Sequence, residues 1–169
     1  MSQATDAALR RVTGLLGDPE THPEGLEALR RLAETEGLAG RRLADLDLEG
    51  VDLSGLDLRG VDFSATFLCR ADLRGSDLRG AVLARADLSG AFLEKADLRG
   101  ADLRHGDLSE ADLRHAHLDG ARLRGAELAG ADLRGADLAG VEGLTRRGLG
   151  TARIDETTRL PDGLGPPDA

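Results

Sequence analysis

Histidine and cysteine are the side chains of this chain that could ligate a metal ion or attack a substrate. His105, His115 and His117 lie close together in the sequence, and Cys69 is the single cysteine. A metal site needs ligands that converge in space, and a catalytic thiol needs a neighbouring base. The five-residue pattern of this region places His105 and His115 on turns of different faces and leaves no histidine near Cys69. The sequence therefore predicts a protein that is not an enzyme and that has no catalytic residue, no metal ligand and no cofactor.

The net charge of the chain argues against nucleic acid as a direct partner. The chain has 31 acidic and 22 basic side chains, a formal net charge of −9. Direct nucleic-acid binding needs clustered Lys and Arg, so it is not expected.

The location of the protein is predicted from its cysteine content and its first residues. A lone cysteine excludes an intrachain disulfide and fits a reducing compartment. The first residues hold no apolar run long enough for a signal peptide or a membrane span, so the expected location is cytoplasmic, without a membrane partner.

A five-residue unit fills most of the chain, and residues 131–140, ADLRGADLAG, contain it twice. The central residue of each unit is apolar. The residue before this centre is usually Asp, the one two before it is usually Ala, and the one two after it is often Gly. The nineteen centres are Leu48, Leu53, Leu58, Phe63, Leu68, Leu73, Leu78, Leu83, Leu88, Leu93, Leu98, Leu103, Leu108, Leu113, Leu118, Leu123, Leu128, Leu133 and Leu138.

This spacing predicts a coil of short strand fragments. Two apolar positions separated by one polar position alternate as in a strand, so both apolar side chains point to one side. A Gly at a fixed place supplies the positive φ of a tight turn. A fragment of about three residues followed by a turn must close on itself, with coils pairing at ~4.8 Å. No unit buries its apolar side alone, so stacking creates the core.

The repeats resemble the pentapeptide-repeat family, whose motif is A(D/N)LxX. The matching units are ADLRG at 71–75, 96–100 and 131–135, ADLSG at 86–90 and ADLAG at 136–140. The resemblance implies a mainly β fold, a right-handed quadrilateral β-helix with four pentads per coil. Nineteen pentads then make about five coils, a rod ~23 Å long. Some bacterial members of the family bind DNA gyrase by imitating DNA and protect it from quinolones.

The two ends differ from the repeats. Apolar stripes predict two helices over 5–16 and 22–36, with Thr21 and Glu24 forming a capping box. Residues 1–42 are predicted to form an N-terminal helical cap and residues 43–142 the β-helix. Residues 143–169 are predicted to form a closing turn and a flexible tail, with the last seven residues disordered.

Four pentads per coil place residues twenty apart on one face. We name the faces by their centres: the acidic face (48, 68, 88, 108, 128), the mixed face (53, 73, 93, 113, 133), the arginine face (58, 78, 98, 118, 138) and the basic face (63, 83, 103, 123). On the arginine face, columns of Asp and Arg should neutralise each other. The acidic face exposes Arg70 against six acids, Asp47, Glu49, Asp87, Asp107, Glu110 and Glu127.

The sequence is compatible with three functions. The rod is predicted to be a protein-binding module or scaffold whose charged faces engage a protein partner. Alternatively, the acidic face imitates the phosphates of DNA and the protein modulates DNA gyrase, conferring protection from quinolone-type inhibitors. A third alternative is a structural spacer, in which the acids only solvate the surface. A homodimer is also left open.

Overall fold

The computed structural model describes residues 3–165 of the chain. Its helices are α1 (Gln3–Leu16), α2 (His22–Thr35) and the short α3 (Arg146–Leu149). From residue 41 to residue 142, a single bridging residue and a turn alternate in every pentad. Across the described part of the chain, no helix has both the length and the apolar character that crossing a membrane requires.

Parallel pairing of residues twenty positions apart builds the rod. The bridges run from Arg42 with Asp62 to Arg122 with Glu142, and each joins one coil to the next. Backbone hydrogen bonds hold these bridges; the Leu88 N–H, for example, donates to the Asp107 carbonyl at 2.7 Å. Four pentads therefore complete one coil of a four-sided β-helix. The predicted three-residue strand fragments are single bridging residues, because a turn interrupts the chain in every pentad.

The centres form the core of the coil. All nineteen predicted centres are buried, with at most 2% of their surface exposed. Two further centres, Leu38 and Leu43, precede them in the same register and are 1% exposed. The sequence analysis missed this start because Arg41 stands where later units have a small residue. The Arg41 side chain is only 12% exposed and pairs with Asp6 of α1.

Side chains of α2 satisfy backbone carbonyls at the N-terminal edge of the coil. The Nε2 atom of His22 lies 2.9 Å from the Asp47 carbonyl oxygen, and Nη1 of Arg30 donates to the carbonyls of Asp52 and Ser54 at 3.3 and 3.0 Å. In later coils, backbone N–H groups of the preceding coil fill these positions. A strand edge with free carbonyls invites association, and α2 covers this one.

The predicted capping box at the start of α2 is wrong. Thr21 has φ −107° and ψ −1°, and its side chain makes no capping hydrogen bond. Its hydroxyl instead donates to the Leu15 carbonyl at 3.0 Å. This backbone conformation is already helical, whereas a capping side chain needs an extended residue. Thr21 therefore begins α2 through its carbonyl, which accepts the Gly25 N–H at 2.9 Å, while its side chain contacts the end of α1.

The coil continues beyond residue 142, where the sequence analysis placed only a closing turn and tail. Arg153 pairs with Asp132, and Arg159 pairs with Asp137, at spacings of 21 and 22 residues. The inserted α3 breaks the register, and its Leu149 is fully buried. Leu164 packs partly against the core although disorder was predicted from residue 163. The rest of the predicted tail, residues 166–169, lies outside the described residues.

Replacing a stacked centre should unfold the rod. Leu88→Asp would bury an uncompensated charge, and we expect loss of the folded far-UV circular dichroism signal. Leu88→Ala should reduce the free energy of unfolding by about 2–5 kcal/mol, measured by urea denaturation. Val82→Asp is the matched control, because Val82 occupies an outward position where most other units carry Asp. Retention of the wild-type spectrum by Leu88→Asp would contradict the stacked core.

Removing the α2 donor from the coil edge should destabilise the N-terminal end. Arg30→Met leaves the carbonyls of Asp52 and Ser54 without this donor, and we expect a loss of about 1–3 kcal/mol in unfolding free energy. Arg31→Met serves as control, because exposed Arg31 pairs only with Glu27 on the same helix. The control should change stability by less than about 1 kcal/mol. Equal effects of both substitutions, in the same urea titrations, would show that α2 does not stabilise the edge.

Candidate functional site

Asp–Arg pairs neutralise seven of the fourteen acids that stand directly before a centre. The Asp before a centre accepts two hydrogen bonds from the Arg after it; Arg79 donates to Asp77 through Nε at 2.8 Å and Nη2 at 2.6 Å. The pKa of each such Asp is lowered, chiefly by this hydrogen bond. The seven pairs are Asp57–Arg59, Asp72–Arg74, Asp77–Arg79, Asp97–Arg99, Asp102–Arg104, Asp112–Arg114 and Asp132–Arg134.

The pairs also connect neighbouring coils on the arginine face. Arg59 lies 3.7 Å from the carboxylate of Asp77, and Arg79 lies 3.6 Å from that of Asp97. Each of these arginines therefore contacts two carboxylates, one on its own coil and one on the next. The columns of opposite sign compensate each other, as the residue types indicate.

The acidic face is built differently, because no Arg follows its centres. Glu49, Cys69, Ser89, Ser109 and Ala129 occupy that column. Asp87 and Asp107 accept backbone N–H groups of the following serines, each at 2.9 Å. Burial raises the pKa of Asp87, but hydrogen bonds from Ser89 and Cys69 outweigh it and leave the pKa lowered. Hydrogen bonds from Ser89 and Cys69, and not an arginine, thus keep the Asp87 carboxylate charged.

The six acids predicted on this face fall into two groups. Asp47 lies 3.8 Å from His22, and Glu49 pairs with Arg70 at 3.0 Å. The other four make no salt bridge with any residue between 3 and 165: Asp87, Asp107, Glu110 and Glu127. Bridges join Asp87 to Asp107 and Asp107 to Glu127, so three of these four form one column along the rod.

Exposed phenylalanine interrupts the outward columns on two faces. Phe67 is 55% exposed and stands between Asp47 and Asp87 on the acidic face. Phe92 is 45% exposed on the mixed face, where the Arg74 guanidinium lies 6.0 Å from its ring centroid. An exposed aromatic within an acidic column offers an apolar contact together with negative charge.

Two histidines of the repeats lie at turns of the coil, and Cys69 lies on the acidic face. His105 and His115 are exposed at separate corners, where their rings lie over Gly125 and Gly135 of the next coil. Residues 3–165 contain no group of three or more His, Cys, Asp or Glu side chains arranged to hold a metal ion. Burial and the neighbouring Asp87 raise the pKa of Cys69, which keeps the thiol protonated.

A four-sided coil with an uninterrupted core and charged outer columns defines a β-helical repeat protein. The family of pentapeptide repeats matches residues 38–75, 68–104 and 107–141, with eight copies of its repeat. The chain belongs to the pentapeptide-repeat family. No curated protein matches the sequence at a significant level.

Solved structures of the same family resemble the chain. A pentapeptide repeat protein from the thylakoid lumen of Arabidopsis thaliana is 30% identical, with a TM-score of 0.51 over 76% of this chain and 81% of that one. Rfr23 from the cyanobacterium Cyanothece 51142 is 34% identical, with a TM-score of 0.37, covering 62% and 67%. QnrB1, a plasmid-mediated fluoroquinolone resistance protein, is 20% identical, with a TM-score of 0.45, covering 69% and 58%.

The Asp–Arg pairs should make stability sensitive to acid. Since the paired Asp have lowered pKa values when folded, their stabilisation is complete above the unfolded pKa and disappears as pH falls through the lower folded values. We expect the unfolding temperature to fall between about pH 5 and about pH 2. The fall should be shallower in the triple variant Asp57→Asn, Asp77→Asn, Asp97→Asn. Identical pH slopes for both proteins, by circular dichroism melting, would contradict this role of the pairs.

Proposed function

We propose that this protein is a non-enzymatic protein-binding module whose acidic face binds a basic surface of a protein partner. The observation that carries this proposal is the contrast between faces. Seven Asp are held by an adjacent Arg, whereas Asp87, Asp107, Glu110 and Glu127 make no salt bridge with any residue between 3 and 165.

The contrast has an energetic consequence for binding. A Lys or Arg of a partner that approached the arginine face would compete with pairs that already exist. On the acidic face the same cation meets carboxylates without a competing guanidinium, so each new pair adds to the attraction. Complementary charge of this kind raises the association rate and orients the partner. The rigid spacing of the coils keeps the carboxylates in place before the partner arrives.

A DNA-mimicking modulator of DNA gyrase is the second candidate, supported by the regular column of acid along a rigid rod. The spacing favours the broader proposal. Duplex DNA carries one negative charge per ~1.7 Å of axis, whereas one outward column supplies one acid per coil, ~4.8 Å. A single column is therefore about three times less dense in charge than the duplex. A basic protein surface that does not require duplex charge density fits this face better.

The proposal also includes the handedness of the coil, the roles of its two ends and a cytoplasmic location. We propose a right-handed coil in which residues 1–42 act as an N-terminal helical cap, residues 43–142 as the main body and residues 143–169 as the C-terminal closure. The contacts of His22 and Arg30 with edge carbonyls support the cap. The free thiol of Cys69 supports a reducing compartment such as the cytoplasm.

Affinity capture from a lysate of the source organism tests the function. The bait with neutral acids, Asp87→Asn, Asp107→Asn, Glu127→Gln, should lose a partner that the wild type retains at low salt. The arginine-face variant Asp57→Asn, Asp77→Asn, Asp97→Asn removes the same number of charges and should retain it. Equal capture by all three baits would contradict the proposal, and no capture by any bait would favour the spacer. A supercoiling assay with DNA gyrase then distinguishes the second candidate, which requires an effect by wild type alone.

A further inference from the structure

A groove runs along the acidic face. Beyond Glu49, the column after its centres carries the small side chains of Cys69, Ser89, Ser109 and Ala129, where most units of the arginine face carry Arg. A depression follows that column along the rod. It is lined by Glu49, Cys69, Arg70, Ser89, Gly90, Ser109 and Glu110. The column of Asp87, Asp107 and Glu127 borders one side of it. Glu110 borders the other, with its carboxylate lying over Gly130 of the next coil.

A mainly apolar recess lies at the N-terminal end of the acidic face. It forms where the loop between α1 and α2 meets the first coil, and it is lined by Leu16, Gly17, Pro19, His22, Asp45, Leu46, Asp47 and Phe67. The ring of Phe67, 55% exposed, stands at its border. Asp45 and Asp47 also line the recess, but Arg42 and His22 already lie beside them. The recess therefore suits an apolar side chain, and the attraction for basic neighbours comes from Asp87 and Asp107 on the next coils.

We propose that the groove binds a basic amphipathic α-helix lying along the axis of the rod. One apolar side chain of this helix enters the recess beside Phe67, and Lys or Arg on successive turns contact Asp87, Asp107 and Glu127. This inference rests on the proposed function of the acidic face and specifies the shape of the partner.

The spacing of the coils selects a helix over an extended segment. From Phe67 to Glu127 the column spans three coil steps, ~14 Å at strand spacing. Three turns of an α-helix rise ~16 Å, a mismatch that flexible Lys and Arg side chains accommodate. Alternate residues of an extended strand repeat at ~6.8 Å, so three steps cover ~20 Å and lose register with the acids. A nucleic acid is repelled by the same column.

Two labelled peptides of identical composition test the helix, with the full-length protein titrated by fluorescence anisotropy. In the first, a Leu and three Lys lie on one helical stripe at positions 1, 5, 8 and 12 of an Ala- and Gln-rich 18-mer. In the second, the same four residues lie at alternate positions, which scatters them around a helix. We expect the striped peptide to bind at least tenfold more tightly. Circular dichroism verifies that both peptides reach similar helicity.

Substitutions on two faces provide the matched controls. Phe67→Asp should weaken the striped peptide at least tenfold, because it removes the apolar border of the recess; the added carboxylate by itself would favour the Lys residues of the peptide, so a loss of binding reports the apolar contact. Phe92→Asp is the same change on the mixed face and should leave binding unchanged. Both variants should fold, since Asp occupies the equivalent position of most coils. Equal affinity for the two peptides, or equal binding by both variants, would overturn the helix proposal.

The outcomes also separate this inference from the proposed function. If the lysate partner depends on the acids but is captured equally by Phe67→Asp, the acidic face binds proteins without the apolar recess, and only the helix proposal fails. If capture is independent of the acids, the function of the acidic face fails as well.

Discussion

Pairing between residues twenty positions apart is the constraint on which the rest of the molecule depends. Once the backbone closes after four pentads, every residue joins a column, and the column decides whether its side chain meets the core or water. Leu88 is buried between Leu68 and Leu108 for this reason. The pairing also limits the size of the inner residue two positions before each centre, because that side chain stacks between the equivalent side chains of the preceding and following coils.

Because the chain closes in this way, residues two positions apart in the sequence lie side by side on the surface and set its local charge. A residue one position after the centre lies beside the residue one position before it, on one face, so Asp77 and Arg79 form a bidentate pair across a single Leu. Replacing that Arg by Ser, as at Ser89, frees the carboxylate and opens a groove at once. Both the charge and the shape of the acidic face therefore depend on which residue follows each centre. A partner that is complementary to both the charge and the shape of this face would gain specificity from the few residues that follow its centres.

Regular parts of the molecule were predictable from the sequence, and its ends were not. The register of Leu48 to Leu138, the stacking of columns and the uneven distribution of acid all follow from a fixed period of five. The earlier start at Leu38 escaped notice because Arg41 occupies a small-residue position, and only its contact with Asp6 on α1 makes that charge tolerable. The insertion of α3 and the pairing of Arg153 with Asp132 depend on tertiary closure, which no local pattern encodes. Thr21 failed as a cap because its backbone geometry, set by the turn between two packed helices, overrides its side-chain preference.

Helices cover part of each end of the rod. At the N-terminal edge, His22 and Arg30 occupy the carbonyls that a further coil would use. At the other end, α3 takes the place of the strand that would follow Glu127, and the buried Leu149 lies in the core cluster that the coils form. Growth of the rod by adding strands at these two places would require displacing α2 or α3 together with their buried contacts. The lateral faces carry no such cost, and within residues 3–165 only the acidic face combines carboxylates without a salt bridge, an exposed aromatic ring and a groove.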